Sequence, residues 1–292
     1  MAILLRLILG LGVLVAIAYI AVCLVLFFQQ TRFIFFPSPV IQTTPKFFNM
    51  SYQEVWLPVQ RRDRTVERMY GWWIPGATNG KVLLYLHGNG INIGANVAHA
   101  HRFHQMSFSV LLMDYRGYGS SEGRFATEAS VYQDAATAWD YLVKERQIQP
   151  SQIFLYGHSL GGAIAIDLAV QHPDAAGLIV ESSFTSIREI VEHQGRFWMF
   201  PVDLILTQRF DSISKVRSLQ MPVLFIHGTA DRMVPSAMSQ QLYAAAPEPK
   251  HLLLVPGAGH NNVAEVAGFQ YLQGVQRFVE QVRTRQAQLA GH

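Results

Sequence analysis

Short apolar runs recur along this chain, at Val82-Leu83-Leu84-Tyr85, Ile153-Phe154-Leu155-Tyr156, Leu178-Ile179-Val180 ahead of Glu181, Val223-Leu224-Phe225-Ile226 and Leu252-Leu253-Leu254-Val255. Runs of this length without polar alternation read as strands, and Ile153–Tyr156 as one buried on both faces of a parallel sheet. A different pattern follows that strand: Ala163, Ile164, Ala165, Ile166, Leu168, Ala169 and Val170 run to His172-Pro173 almost without a polar break, which predicts a buried helix closed by proline. Upstream, Tyr52 to Pro58 and Glu67 to Ile74 predict an antiparallel entry hairpin with Arg61-Arg62-Asp63-Arg64 at its tip. The tip reads as a solvated turn, with contact to anionic lipid headgroups as the alternative. The expected class is α/β, with a mostly parallel central sheet and helices on both faces.

One apolar stretch is of another kind. Leu7 to Phe28 carries no charged residue, and as a helix it spans roughly 30 Å, the thickness of a bilayer's hydrocarbon core. Arg6 and the small residues Ala16-Ile17-Ala18 also fit a cleaved signal peptide. The run continues through Tyr19 to Phe28, however, so cleavage would leave a greasy new terminus, and an uncleaved single-pass anchor is the preferred reading. Val22 is bulky for a lipoprotein signal at Cys23, the only cysteine, so Cys23 is expected simply to pack. Arg6 and the amino terminus nearly balance Arg32 and Lys46, which leaves the side of the membrane open. Phe27, Phe28, Phe33, Phe35 and Phe36 are expected at the membrane interface, followed by a stiff connector marked by Pro37, Pro39 and Pro45.

Composition narrows the field. The 292 residues suffice for one catalytic domain plus an anchor, and a 50% hydrophobic, 15% charged make-up owes much to Leu7–Phe28. The net charge of +3 comes from scattered arginines rather than a basic stripe, so no nucleic-acid partner is expected. There is no Walker-type or dinucleotide-binding loop, and no cofactor is expected. His99, His101 and His104 have part of the spacing of a metallo-hydrolase motif. Phe103 stands where that motif needs an aspartate, so no metal is expected either.

The chemistry centres on Gly157-His158-Ser159-Leu160-Gly161. A serine between glycines two residues away on each side, at a strand-to-helix junction, fits a nucleophile elbow, which makes Ser159 the candidate nucleophile. Asp231 follows the run Val223–Ile226, and His260 follows Leu252–Val255. A serine hydroxyl is a poor nucleophile near neutral pH, so His260 is assigned to take its proton and Asp231 to orient the imidazole. For the anionic intermediate, the backbone N–H groups of Leu160 and of Asn89, in Leu86-His87-Gly88-Asn89-Gly90, are the candidate donors, each contributing about 3 kcal/mol.

Through the His87–Gly90 loop, the elbow at Ser159, Asp231 and His260, in the order Ser, Asp, His, the chain resembles the α/β-hydrolase superfamily of serine hydrolases from about Pro58 onward. The apolar N-terminus followed by Gln29-Gln30-Thr31-Arg32-Phe33-Ile34-Phe35-Phe36-Pro37-Ser38 resembles its membrane-anchored, depalmitoylase-like branch. The resemblance implies metal-free hydrolysis of ester, thioester or amide bonds; the reading is an esterase or thioesterase acting through an acyl-enzyme at Ser159, with amide or peptide cleavage as the alternative, and a small-molecule or lipid-like acyl substrate is expected. The resemblance also implies that Asp114–Gly123 forms a turn with internal salt bridges and that Asp114 is not catalytic. The apolar segment Phe197–Leu206 lies where such folds carry a cap; it is expected to form either a lid over an acyl pocket, dipping toward the membrane, or an ordinary buried helix. The expected layout is an anchor and interface over 1–36, a connector and first-strand region over 37–57, and the hydrolase domain over 58–292 with a cap around 184–212. A non-catalytic scaffold of the same fold is the alternative from a different class.

Overall fold

The computed structural model describes residues 1–61, 63–77 and 80–290. Arg62, in the hairpin tip, lies outside them. Eight strands form the main sheet: β1 (Gln53–Gln60), β2 (Val66–Ile74), β3 (Val82–Leu86), β4 (Ser109–Met113), β5 (Ile153–His158), β6 (Gly177–Glu181), β7 (Val223–Gly228) and β8 (Lys250–Val255). Their order is β8-β7-β6-β5-β3-β4-β2-β1. β2 pairs antiparallel with both β1 and β4, and all other pairs are parallel. This is the α/β-hydrolase arrangement. The first strand starts at Gln53, so it straddles the boundary expected near residue 58.

The unbroken apolar runs are explained by two cores. Along β3, Val82, Leu84 and Leu86 enter one core while Leu83 and Tyr85 enter the other; β5 divides Ile153 and Leu155 from Phe154 and Tyr156 in the same way. Side chains alternate across a strand, so a sheet covered on both faces needs apolar residues at successive positions. Helices α3 (Glu128–Asp140), α4 (Leu160–Gln171) and α7 (Ser236–Ala245) cover the first face; α2 (Val97–Gln105) and α8 (Phe269–Ala290) cover the second. Within α4 the residues from Leu160 to Ile166 are all buried, as the sequence leads one to expect, and Pro173 follows its end.

The N-terminal α1 (Ala2–Gln29) is 28 residues long, apolar enough to cross a membrane, and packs few of its residues into the fold. The chain then departs from the expected interface-and-connector pattern. A one-turn helix, Thr31–Ile34, turns Ile34 and Phe35 inward; Phe35 is 1% exposed and meets the ring of Phe210 edge-on. Phe33 and Phe36 stay exposed. Phe36–Pro37 forms a short parallel pair with Gly90–Ile91, and Asn92 clasps the next residues by donating from Nδ2 to the carbonyls of Ser38 and Val40, each at 2.9 Å. The connector is thus fastened to the loop after β3, because its exposed backbone groups find partners there.

Asp114–Gly123 is a turn braced by ion pairs, as the resemblance implied. Buried Arg116 holds Asp134 at 2.6 Å and Glu67 at 3.2 Å, and Arg68 holds Glu122 at 2.6 Å. At the hairpin tip, Arg61 pairs with Glu67 at 2.6 Å.

The segment between β6 and β7 contains α5 (Ile187–Gln194), whose N-cap Ser186 accepts from the Glu189 N–H, and the short α6 (Val202–Ile205). It is not an ordinary buried helix: Trp198, Met199 and Leu204 are largely exposed, and the stretch leans on α1.

Candidate active site

The sheet puts the ends of β3, β5, β7 and β8 along one edge, with β6 between β5 and β7, and each end delivers one part of the candidate site. Ser159 sits between β5 and α4 with φ 54 and ψ −120, a left-handed backbone rarely adopted by a residue with a Cβ. The turn closes this tightly because its flanks are glycine. A Cβ on Gly157 would collide with the carbonyl of Gly161, and one on Gly161 with the carbonyl of Leu86. The strained turn is pinned by the Ser159 N–H donating to the Glu181 carbonyl and the Ser183 hydroxyl donating to the Ser159 carbonyl, both at 2.8 Å.

Asp231 lies in the turn after β7 and His260 in the loop after β8. His260 Nε2 is 2.9 Å from Ser159 Oγ, and His260 Nδ1 is 2.7 Å from Asp231 Oδ2. All three residues are buried except for a narrow exposed edge. In the tautomer matching this geometry, Nδ1–H donates to the carboxylate and Nε2 accepts a hydrogen bond from the serine hydroxyl. The chain separation of 101 residues between Ser159 and His260 is closed entirely by the parallel sheet.

The Asp231 carboxylate is well supplied with donors. Oδ1 accepts from the Met233 and Val234 N–H groups at 2.8 and 2.9 Å, while Oδ2 takes His260 and lies 3.1 Å from His227 Nε2. Burial pushes the carboxyl pKa up, but the bonds from His227, His260 and Val234 outweigh it and hold Asp231 well below the usual carboxylate range. It therefore stays charged at neutral pH.

His227 went unremarked in the sequence. It is fully buried near the end of β7, with Nδ1 2.6 Å from Ser239 Oγ and Nε2 2.9 Å from the Val234 carbonyl. Strand alternation from Phe225 turns it toward the α7 face, a signal the sequence did contain. His158, between Gly157 and Ser159, also has a partner: its Nε2 donates to the His260 carbonyl at 3.0 Å, joining the serine turn to the histidine loop. Burial lowers its pKa to about 4, so the ring is neutral at physiological pH.

The proposed anion donors border this arrangement. Leu160 is the first residue of α4, so its N–H is among the first-turn amides that have no partner within the helix. The loop bearing Asn89 passes beside Ser159: a Cβ on Gly88 would lie 3.5 Å from that of Ser159. Asn89 itself is held from three sides. Its carbonyl accepts from the Phe36 N–H at 2.9 Å and the Tyr118 hydroxyl at 2.8 Å, and its side chain donates to the Ile34 carbonyl at 2.9 Å. Beneath the loop, His87 and Asp114 are both fully buried, with Nε2 and Oδ1 3.5 Å apart. Desolvation lowers the His87 pKa to about 4 and raises that of Asp114 to about 8, so both moves favour neutral forms. Asp114 Oδ1 accepts the Ile93 N–H at 2.8 Å, which braces the loop after β3.

The histidines near α2 go separate ways. His101 stacks on Phe48, His104 Nε2 is 3.0 Å from the Pro75 carbonyl, and His99 faces His158 with ring centroids 6.1 Å apart. Among the described residues, no group of three or more His, Cys, Asp or Glu side chains is arranged to hold a metal ion.

Comparison with known proteins agrees with this architecture. The family described as "Serine aminopeptidase, S33" matches residues 77–214 and 206–267. An uncharacterized protein of Mycobacterium tuberculosis, Rv2307c, is 36% identical over 275 residues, covering 91% of this chain and 92% of its own. The uncharacterized Escherichia coli protein YfhR is 30% identical over 203 residues, covering 66% of this chain and 69% of its own. Among solved structures, the esterase Pf2001 of Pyrococcus furiosus superposes with a TM-score of 0.70 at 19% identity, over 85% of this chain and 97% of that one, which is a likeness of fold. The chain therefore belongs to the serine aminopeptidase S33 family of α/β-hydrolases.

Proposed function

We propose that this protein is a membrane-anchored serine hydrolase that cleaves carboxylic ester or thioester bonds through an acyl-enzyme at Ser159. The observation that carries the reading is the unbroken contact from Ser159 Oγ to His260 and on to Asp231, at 2.9 and 2.7 Å, on a turn with positive φ.

His260 takes the Ser159 proton as Oγ attacks the acyl carbon. The backbone N–H groups of Leu160 and Asn89 receive the developing oxyanion. His260, now an imidazolium stabilised by Asp231, passes the proton to the leaving alcohol or thiol. Water, deprotonated by His260, then attacks the acyl-enzyme; collapse of the second intermediate returns the proton to Ser159 and releases the acid.

Anchoring is supported by the length and apolarity of α1, and the N-terminal sequence favours the depalmitoylase-like branch. The family description favours a second reading, amide or peptide cleavage by the same groups. In the test, full-length solubilised protein is treated with a fluorophosphonate probe, with p-nitrophenyl esters and thioesters of graded acyl length and an aminoacyl p-nitroanilide assayed in parallel. Labelling and ester turnover are expected in the wild type and absent in Ser159→Ala. Preference for the anilide selects the peptidase reading, and a folded wild type that neither labels nor turns over any substrate refutes hydrolysis.

A further inference from the structure

The segment after α5, from Gly195 through α6 to Gln208, is exposed over much of its length. It runs back along the N-terminal helix. Near the end of α1, the Gln30 side-chain amide donates to the Ile205 carbonyl at 3.2 Å, while its oxygen accepts from the Thr207 and Gln208 N–H groups at 2.8 and 3.0 Å. Higher up, the Tyr19 hydroxyl donates to the Met199 carbonyl at 2.8 Å and its ring stacks on Phe200, centroids 5.7 Å apart. At a rise of about 1.5 Å per residue, Tyr19 and Gln30 are roughly 16 Å apart along the helix axis, and the cap segment spans that interval.

We propose that the cap tip, Phe197 to Leu204, is a second membrane-inserted element that enters the hydrocarbon core alongside α1. The inference rests on α1 spanning the bilayer. The charge-free stretch Leu7–Phe28 matches the thickness of the hydrocarbon core, which puts Tyr19 roughly 14 Å from its Phe28 end, near the midplane. The Tyr19 contacts carry Met199 and Phe200 to that level. Beside them, Trp198 is 82%, Met199 59% and Leu204 80% exposed, an apolar surface continuous with the outward face of α1. Hydrocarbon is the occupant that fits these side chains next to a membrane helix. Asp203, the sole acidic residue between Phe197 and Leu206, is paired with Arg188 at 2.5 Å, which limits the cost of bringing its charge near lipid. Two different points of α1 hold the cap, so it is fixed at a defined depth.

The test uses the full chain with Cys23→Ser as background, reconstituted in phosphatidylcholine vesicles at low protein density. Nitroxide labels are attached at Trp198→Cys and Leu204→Cys, at Leu14→Cys as a standard within α1, and at Arg285→Cys as an aqueous standard. Arg285 is exposed on α8 next to Gln286, which bonds to the Ser151 carbonyl just before β5, at the opposite end of the sheet from the serine. Fluorophosphonate labelling of each variant checks its fold.

The expected result is that the label at 198 matches the one at 14, with high collision rates with oxygen and loss of collisions with a water-soluble nickel chelate, while the one at 204, next to Ile205 at the Gln30 level, reads a shallower but still nickel-shielded depth. If 14 reads hydrocarbon while 198 and 204 read water, insertion of the cap is overturned and the anchor stands. If 14 also reads water, or the purified chain lacks its N-terminus, the anchor reading fails and this inference with it. Spin–spin broadening between copies at 198 or 204 assigns the surface to a second copy of the chain and overturns the proposal.

Discussion

Asn92 offers a sharp test of how the connector is tied to the candidate site. Its side chain is fully buried and makes three hydrogen bonds: two donated to the Ser38 and Val40 carbonyls, and one accepted from the Gly94 N–H, each at 2.9 Å. Ser38 O has another donor in the Gly119 N–H at 3.1 Å, so Asn92→Ala chiefly strands the Val40 carbonyl and the Gly94 amide. At about 1 kcal/mol for each bond, with some excess for stranded groups, the expected loss is about 3 kcal/mol. Asn92→Asp separates the donor from the acceptor role. It keeps the acceptor for Gly94 but turns a carboxylate oxygen toward two carbonyl oxygens, so at neutral pH it should be less stable than Asn92→Ala. Only the protonated acid can donate there, which raises the folded-state pKa of the new carboxyl above its unfolded value of about 3.9. The folded state then binds more protons, and Asn92→Asp should regain stability relative to the wild type as pH falls from 7 toward 4. Urea unfolding of the solubilised full chain, followed by the fluorescence of buried Trp72 and Trp139, measures all three proteins at both pH values. An Asn92→Ala protein within about 0.5 kcal/mol of wild type refutes the clasp, as does an Asn92→Asp protein whose deficit is the same at pH 7 and pH 5.

Other consequences follow from the donors around Asp231. His227→Ala removes one donor from the carboxylate and strands Ser239 Oγ. It should lower kcat roughly tenfold with little change in KM, seen in steady-state kinetics on a short p-nitrophenyl ester. Asp231→Asn should cost about 10⁴-fold in kcat by disturbing the His260 tautomer. The depressed folded-state pKa of Asp231 stabilises the fold above the unfolded value of about 3.9, and that contribution is lost as pH falls toward the folded value. In urea titrations the gap between wild type and Asp231→Asn should therefore be level above about pH 5 and shrink below about pH 4.

The nucleophile turn was legible because its constraint is local: two glycines and a serine within five residues report a backbone that other residues resist. The strands were legible because burial on both faces removes polar residues from consecutive positions, as in Ile153–Tyr156. Asp231 and His260 were legible as candidates because each follows the end of a strand, where a parallel sheet brings loops together. Phe35 was misread as interfacial because it looks the same in sequence whether it meets lipid or a protein core. His158 and His227 were passed over because their partners, the His260 carbonyl and the Asp231 carboxylate, are specified by how separate loops meet rather than by neighbours in sequence.

The sequence by itself determined the class of fold, the α1 helix and the candidate chemistry, since apolar periodicity, length and turn-forming glycines act over a few residues. Only the tertiary structure decided that Gln30 grips the cap, that Ile34 and Phe36 hold Asn89, and that Asp231 is held charged by donors from several segments. Those arrangements depend on polar groups that must find partners once folding has removed them from water, and which partners they meet is set by the packing of elements far apart in the chain.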